Sequence, residues 1–242
     1  MWTPTELASN ARSLGGTLWR AVEHQYTVST RRIVDRMDEQ ALLEDILEET
    51  KPVYPPEADG LHYLLKTPFR YDAPYPNGSR FRRSGPGAGV FYAAEKIRTS
   101  LAEFISWRLR FFKASPATPF PKNEGRLTVF SANYQTAAAL DLTVPPLDRD
   151  RSLWMQPRDY SATQALADTA RAAAIEALRY ESVRDVEGDA NIAVLTPRAF
   201  TTKDPVEQQT WFLYMDASEA NCVRTNQRGE DKLWTFPRDQ FD

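Results

Sequence analysis

Cysteine is nearly absent from this 242-residue chain. The single Cys222 excludes an intrachain disulfide and a zinc site built from cysteines. Histidine is almost as scarce: with only His24 and His62, a three-histidine metal site is impossible, and a serine–histidine nucleophile would have to use one of those two. Neither has a metal-type neighbour at i+3 or i+4, so no metal is expected. Long apolar runs are missing too, and the start Met-Trp-Thr-Pro-Thr-Glu lacks the basic and then apolar texture of an export signal, so the chain is expected in the cytosol with no membrane contact. Charge of one sign is not in large excess: 30 Lys+Arg against 33 Asp+Glu leave −3, which disfavours a broad nucleic-acid footprint. Hydrophobic residues at 42% and charged residues at 26% are the mix of a folded protein with a sizeable core, which excludes disorder, collagen and coiled coil.

Along the chain, residues 5–25 alternate helix formers around Gly15-Gly16 and are expected to be helical. A second helix opens at Asp38, with Leu42, Leu43, Ile46 and Leu47 on one face and Glu44, Asp45, Glu48 and Glu49 on the other. Seven acidic residues and one Arg lie between Asp35 and Glu49, a solvated helix face or a protein-docking face. Prolines 52, 55, 56, 68, 74 and 76 interrupt the next stretch, so a boundary is placed near residue 60. A helical N-terminal extension (1–60) is thus expected before the main domain (61–242).

Gly85-Pro86-Gly87-Ala88-Gly89 feeds a strand at Val90-Phe91-Tyr92. It lacks the Gly-Lys-Ser/Thr ending of a phosphate loop and reads as a tight turn. A helix from about Glu95 buries Ile97, Leu101, Phe104, Ile105 and Phe112. Strands are expected at 126–130, 138–144, 191–195, 210–215, 221–224 and 233–236, and a helix over 161–178 opened by a Ser161/Gln164 capping box. The order is α+β rather than a βαβ repeat.

Arg80 and Arg82 would share one face of an extended segment, and two planar guanidiniums suit a diphosphate. Five basic residues and one acid between Lys66 and Arg83 also admit a non-catalytic module that binds nucleotide or nucleic acid. Tyr92, Glu103 and Ser182 are unremarkable by spacing alone. Glu103 stands about 200° around its helix from Leu101, off the buried stripe and able to face a site or solvent.

Taken in order, Thr67-Pro-Phe-Arg70-Tyr, Gly78-Ser-Arg80-Phe, Val90-Phe-Tyr92-Ala-Ala-Glu95, Leu101-Ala-Glu103 and Arg179-Tyr-Glu-Ser182 resemble the RES family, named for an Arg, a Glu and a Ser. Here these would be Arg80, Glu103 and Ser182. Two departures are Ser79-Arg80-Phe81 where the family commonly has Gly-Arg-Trp, and Glu181 where many members carry Pro.

The resemblance implies an ADP-ribosyltransferase-like core of two small packed β-sheets with helices around an NAD+ site. It further implies a toxin silenced by an Xre-type DNA-binding antitoxin. Such a toxin consumes NAD+, releasing nicotinamide and passing ADP-ribose to a protein, water or phosphate; a cellular protein is the acceptor expected here. Arg80, with Arg70 or Arg82, would hold the diphosphate and Tyr92 would stack on nicotinamide. Glu103 would stabilise the developing ribosyl cation, and Ser182 would orient ribose or amide or brace Glu103. Glu95 and Glu181 remain alternative carboxylates, and no direct nucleic-acid contact is expected.

Overall fold

A computed structural model describes residues 2–24, 36–70, 78–85, 87–224 and 232–241. Asp35, Tyr71, Asp72, Pro74, Pro76 and Pro86, used in the sequence reading, lie outside the described residues. Six helices and eight strands are described: α1 (Pro4–Ser9), β1 (Arg12–Glu23), α2 (Met37–Glu49), α3 (Tyr63–Lys66), β2 (Phe91–Ala94), α4 (Ile97–Ala114), β3 (Gly125–Asp141), α5 (Arg151–Trp154), α6 (Ser161–Ala172), β4 (Ala177–Glu181), β5 (Ala190–Val194), β6 (Glu207–Met215), β7 (Glu219–Arg224) and β8 (Lys232–Pro237). The fold class is α+β.

The strands hydrogen-bond in the order β1-β2-β5-β4-β3-β6-β7-β8, with β1 also pairing β3. One part, β2-β5-β4, is antiparallel throughout. The other runs from β1 through β3 to β8. They pack across a shared core in which Phe91, Ile192, Val194 and Ala177 meet Leu18, Phe130, Ala132 and Tyr134. The two packed sheets are therefore joined at their edges, by the β1–β2 contact at Trp19↔Ala94 and by three parallel pairs between β3 and β4.

Residues 12–23 correct the helical reading of the N-terminus. They form a strand paired with β3 from Arg12↔Ala139 to Glu23↔Leu127. Leu18 faces the shared core and Trp19 the core beneath α4, so apolar residues fall on both faces and the alternation that marks a half-buried strand is lost. A division at residue 60 would cut this hydrogen-bonded sheet. Helix α2 forms where expected, but Leu42, Ile46 and Leu47 are exposed.

The two strands expected at 126–130 and 138–144 are one 17-residue strand, β3. The polar run between them is carried by pairing with β1, at Tyr134↔Gly16, Gln135↔Gly15 and Thr136↔Leu14. The helix expected over 161–178 stops at Ala172. Ala174 takes φ +56°, Ala174 N–H donates to Arg171 O, and Ile175 N–H reaches back to Ala170 O at 2.9 Å. This is a Schellman ending with alanine where glycine is usual, and Ala177 and Leu178 belong to β4. The expected capping box is also absent: Tyr160 is the N-cap without a side-chain bond, and the Gln164 amide donates to Ser79 O and Arg82 O.

Candidate active site

Arg80 sits on a tight turn rather than in an extended segment. Ser79 N–H donates to Arg82 O at 2.7 Å and Arg82 N–H to Ser79 O at 3.1 Å, leaving Arg80 and Phe81 at the centre of the turn. Gly78 precedes it at φ +62°, and a Cβ there would lie 2.3 Å from Arg82 O. Alternation therefore does not put Arg80 and Arg82 on one face. Arg82 is buried, with its Nη2 3.5 Å from Gly87 O.

Tyr92 of β2 fixes this turn from below. Its hydroxyl pairs with Ser79 Oγ at 2.8 Å and accepts Phe81 N–H at 2.9 Å, so it holds the residues on either side of Arg80. Burial raises the Tyr92 pKa above its ordinary value, against the lowering effect of the Ser79 bond. Phe81 packs edge-on against Tyr180, with ring centroids 4.9 Å apart.

The Arg80 guanidinium donates to Trp154 O and lies over the ring of Tyr160, 5.0 Å from its centroid. Arg110 joins it there: its Nη2 reaches Tyr160 Oη at 3.1 Å and Pro157 O at 3.4 Å. Arg184 donates to the same Pro157 carbonyl. Among the described residues, none of Arg80, Arg110 and Arg184 has a carboxylate ion-pair partner. Burial, then the like charge of Arg110, pushes the Arg184 pKa down. At Tyr160 burial raises the pKa, but the Arg110 hydrogen bond and the charges of Arg110, Arg80 and Arg184 outweigh it and leave it lowered. Three cations gathered with no carboxylate in direct ion-pair contact among the described residues fit an anionic ligand with more than one phosphate.

The acid stands beside this cluster. Glu103 projects from α4, and its Oε1 accepts Ser182 Oγ–H at 2.7 Å and Asn191 Nδ2–H at 2.6 Å. Ser182 follows β4 and is buried; its oxygen also accepts the N–H groups of Arg184 at 3.2 Å and Asp185 at 3.1 Å. With one donor and two acceptor positions all engaged, Ser182 has none left for a ligand. The start of α4 is tied to the same loop, because Thr99 Oγ1 donates to Asp185 Oδ2 at 2.7 Å and Arg98 pairs with Asp185 Oδ1. The charges of Glu103 and Arg80 both act on buried Tyr180, whose pKa is raised chiefly by burial.

The remaining candidates lie elsewhere. Arg70 is buried against Tyr54, donates to Pro52 O at 2.7 Å and pairs with Glu48 at 2.7 Å, so its guanidinium is engaged within the chain. Glu95 holds Arg179 at 2.7 Å, and Glu181 holds Arg151 through two bonds of 2.8 and 2.6 Å. The basic stretch is likewise dispersed: Arg70 goes to Glu48 and Arg83 to Asp168. His62 caps α3, and His24 Nδ1 lies 3.1 Å from Thr128 Oγ1. Among the described residues, no group of three or more His, Cys, Asp and Glu could hold a metal ion. Nor is any helix of theirs long and apolar enough to cross a membrane.

Sequence reasoning missed Arg110, Tyr160, Arg184 and Asn191. The first had a signal, since Arg110 lies seven residues beyond Glu103 and so on the same helical face.

Compared with known families, residues 54–216 match the RES domain, about two thirds of the chain. The chain belongs to the RES-domain family. No curated protein matches this RES-domain chain. Among solved structures it is similar to one titled the M. tuberculosis MbcT–MbcA toxin–antitoxin complex, at 12% identity and a TM-score of 0.42, over 96% of this chain and 91% of that one.

Proposed function

We propose that this RES-domain protein is a toxin that cleaves NAD+ at the bond between nicotinamide and ribose and passes ADP-ribose to a cellular protein. The observation that carries the reading is the juxtaposition of the Glu103 carboxylate, whose Oε1 is braced by two donors, with an arginine cluster that has no direct carboxylate ion pair among the described residues. Arg80, Arg110 and Arg184 hold the diphosphate. The ring of Tyr92, anchored at its hydroxyl, lies against nicotinamide.

In the reaction the N1–C1′ bond breaks and its electron pair leaves with nicotinamide, which becomes neutral. Positive charge then develops on the ribose, and a carboxylate fixed beside it interacts more strongly with the transition state than with the substrate. A lone pair of the acceptor forms the new bond to C1′, and the acceptor's proton passes to water. Trp107 and Phe111, exposed on α4 one and two turns beyond Glu103, would offer a protein acceptor an apolar surface that a small acceptor does not need. Family membership supports an Xre-type antitoxin that covers the site.

The test is nicotinamide release by the purified, partner-free chain beside Arg80→Ala and Glu103→Gln. Both variants should lose on the order of 100-fold or more in rate. Release by wild type with no ADP-ribose-sized mass gain on any protein incubated with it would replace the protein acceptor by water or phosphate. No release at all from a folded chain would overturn the reading.

A further inference from the structure

Among the described residues, two hydrogen bonds end on one oxygen of Glu103 and none on the other. Oε1 receives Ser182 Oγ–H at 2.7 Å and Asn191 Nδ2–H at 2.6 Å, which uses both of its lone pairs. Among the described residues, Oε2 receives no hydrogen bond. We propose that Asn191 is a positioning residue of this site, which together with Ser182 occupies Oε1 and leaves Oε2 as the oxygen presented to the ribose. The proposal rests on the NAD+-cleaving reading for the identity of that ribose.

The amide orientation follows from the carboxylate itself, because the reverse orientation would set Oδ1 against an anionic oxygen at 2.6 Å. Asn191 is also well fixed. It lies in β5, paired with Tyr180 of β4 on one side and Ala94 of β2 on the other, and is 1% exposed. Its Oδ1 is buried with no hydrogen-bond partner. An orphaned buried acceptor is unfavourable, and a leucine would fill similar space without it. What the amide supplies and leucine cannot is the Nδ2 donor to Glu103. The other groups acting on this carboxylate are Tyr180 from β4 and Arg184 from the loop after it, both beside Ser182.

The experiment uses the full chain with Asn191→Asp and Asn191→Leu, both close in size to asparagine. Asn191→Asp removes the donor and adds a like charge at neutral pH, but regains a donor when the two carboxyls share one proton. Nicotinamide release should therefore fall on the order of 10-fold or more in kcat at neutral pH, with KM within about twofold. The deficit relative to wild type should shrink as the pH is lowered. Asn191→Leu loses the orphaned acceptor together with the donor, so the two effects on stability oppose each other; it should still fold and show the kcat loss at every pH. Independently of activity, the Glu103 carboxyl, followed by carbon-13 NMR, should titrate at higher pH in Asn191→Asp. Unchanged kcat in Asn191→Leu, or a Glu103 titration unmoved in Asn191→Asp, would overturn the proposal. If wild type released no nicotinamide, the functional reading would fail while the titration still decided whether Asn191 holds Glu103.

Discussion

The Tyr92 hydroxyl accepts the Phe81 N–H at 2.9 Å, and this bond fastens the turn that carries Arg80 to the edge of the β2-β5-β4 sheet. Ser79 Oγ completes the attachment at 2.8 Å. The aromatic ring of Tyr92 and its hydroxyl thus have separable effects. Tyr92→Phe keeps the ring but strands the Phe81 N–H, at a cost of about 1–3 kcal/mol when such a donor is left unsatisfied. The expected outcome is a loosened Arg80, seen as a KM for NAD+ raised about 10-fold and a lower melting temperature. Unaltered KM would show that the turn is held by its own backbone bonds and by Gln164.

The arginines divide by their partners. Arg110 and Arg184 share the Pro157 carbonyl with Tyr160 beside them and have no carboxylate ion-pair partner among the described residues, whereas Arg70 is paired with Glu48 and stacked on Tyr54. Arg110→Ala should raise KM for NAD+ by on the order of 10-fold, as expected for one charge-assisted bond of about 1.5–3 kcal/mol, with little change in stability. Arg70→Ala should do the converse, lowering stability by about 1–2 kcal/mol through lost packing and backbone bonds while KM stays put. Steady-state kinetics and urea unfolding on the same two variants separate the cases.

Tyr160 offers a pH readout of the cluster. Burial alone would raise its pKa, but the hydrogen bond from Arg110 and the charges of Arg110, Arg80 and Arg184 bring it below the ordinary tyrosine value. Between the folded and unfolded values the native state has lost a proton that the unfolded chain keeps. Stability from this group therefore rises with pH across that window; it is full above the unfolded value and lost as pH falls through the folded one. Absorbance titration should show a tyrosinate step below the bulk of the tyrosines, absent in Tyr160→Phe and moved upward in Arg110→Ala. A step unaffected by Arg110→Ala would mean that the guanidinium does not hold the phenolate.

Much of the fold was legible because local chemistry and tertiary context agreed. The β2 strand at Phe91–Ala94, α4 and the four C-terminal strands follow from β-branched and aromatic runs or a clear apolar stripe. Strand β1 was not legible, since Leu18 and Trp19 are covered from opposite sides, and β3 was split because its polar middle is paired by a segment more than a hundred residues away. At the site, Glu103 and Ser182 were reached by resemblance, and the structure brings them to hydrogen-bond distance. Asn191 and Arg184 carry no spacing signal: the first is an asparagine in a strand, and the second is brought to Tyr160 by the loop after β4.

The end of α6 shows a conflict between local preference and tertiary demand. Seven of the residues from Ser161 to Ala174 are alanine, and the best helix former continues past the point where the helix must stop. The stop is imposed by β4, which has to begin at Ala177 to run beside Ala139, and by Ile175, which is buried in the core beneath α6. The chain reverses through Ala174 at φ +56°, a conformation that costs an L-residue about 1–2 kcal/mol and glycine almost nothing. Replacing alanine with glycine also enlarges the unfolded chain's freedom, which offsets about 0.4–1 kcal/mol of that gain. Ala174→Gly should therefore leave nicotinamide release unchanged and raise stability by about 0.5–1 kcal/mol, or a few degrees in Tm for a chain of this size. A destabilised Ala174→Gly would place the strain elsewhere in the α6–β4 connection, and urea unfolding of the wild type and variant at equal pH decides between the two.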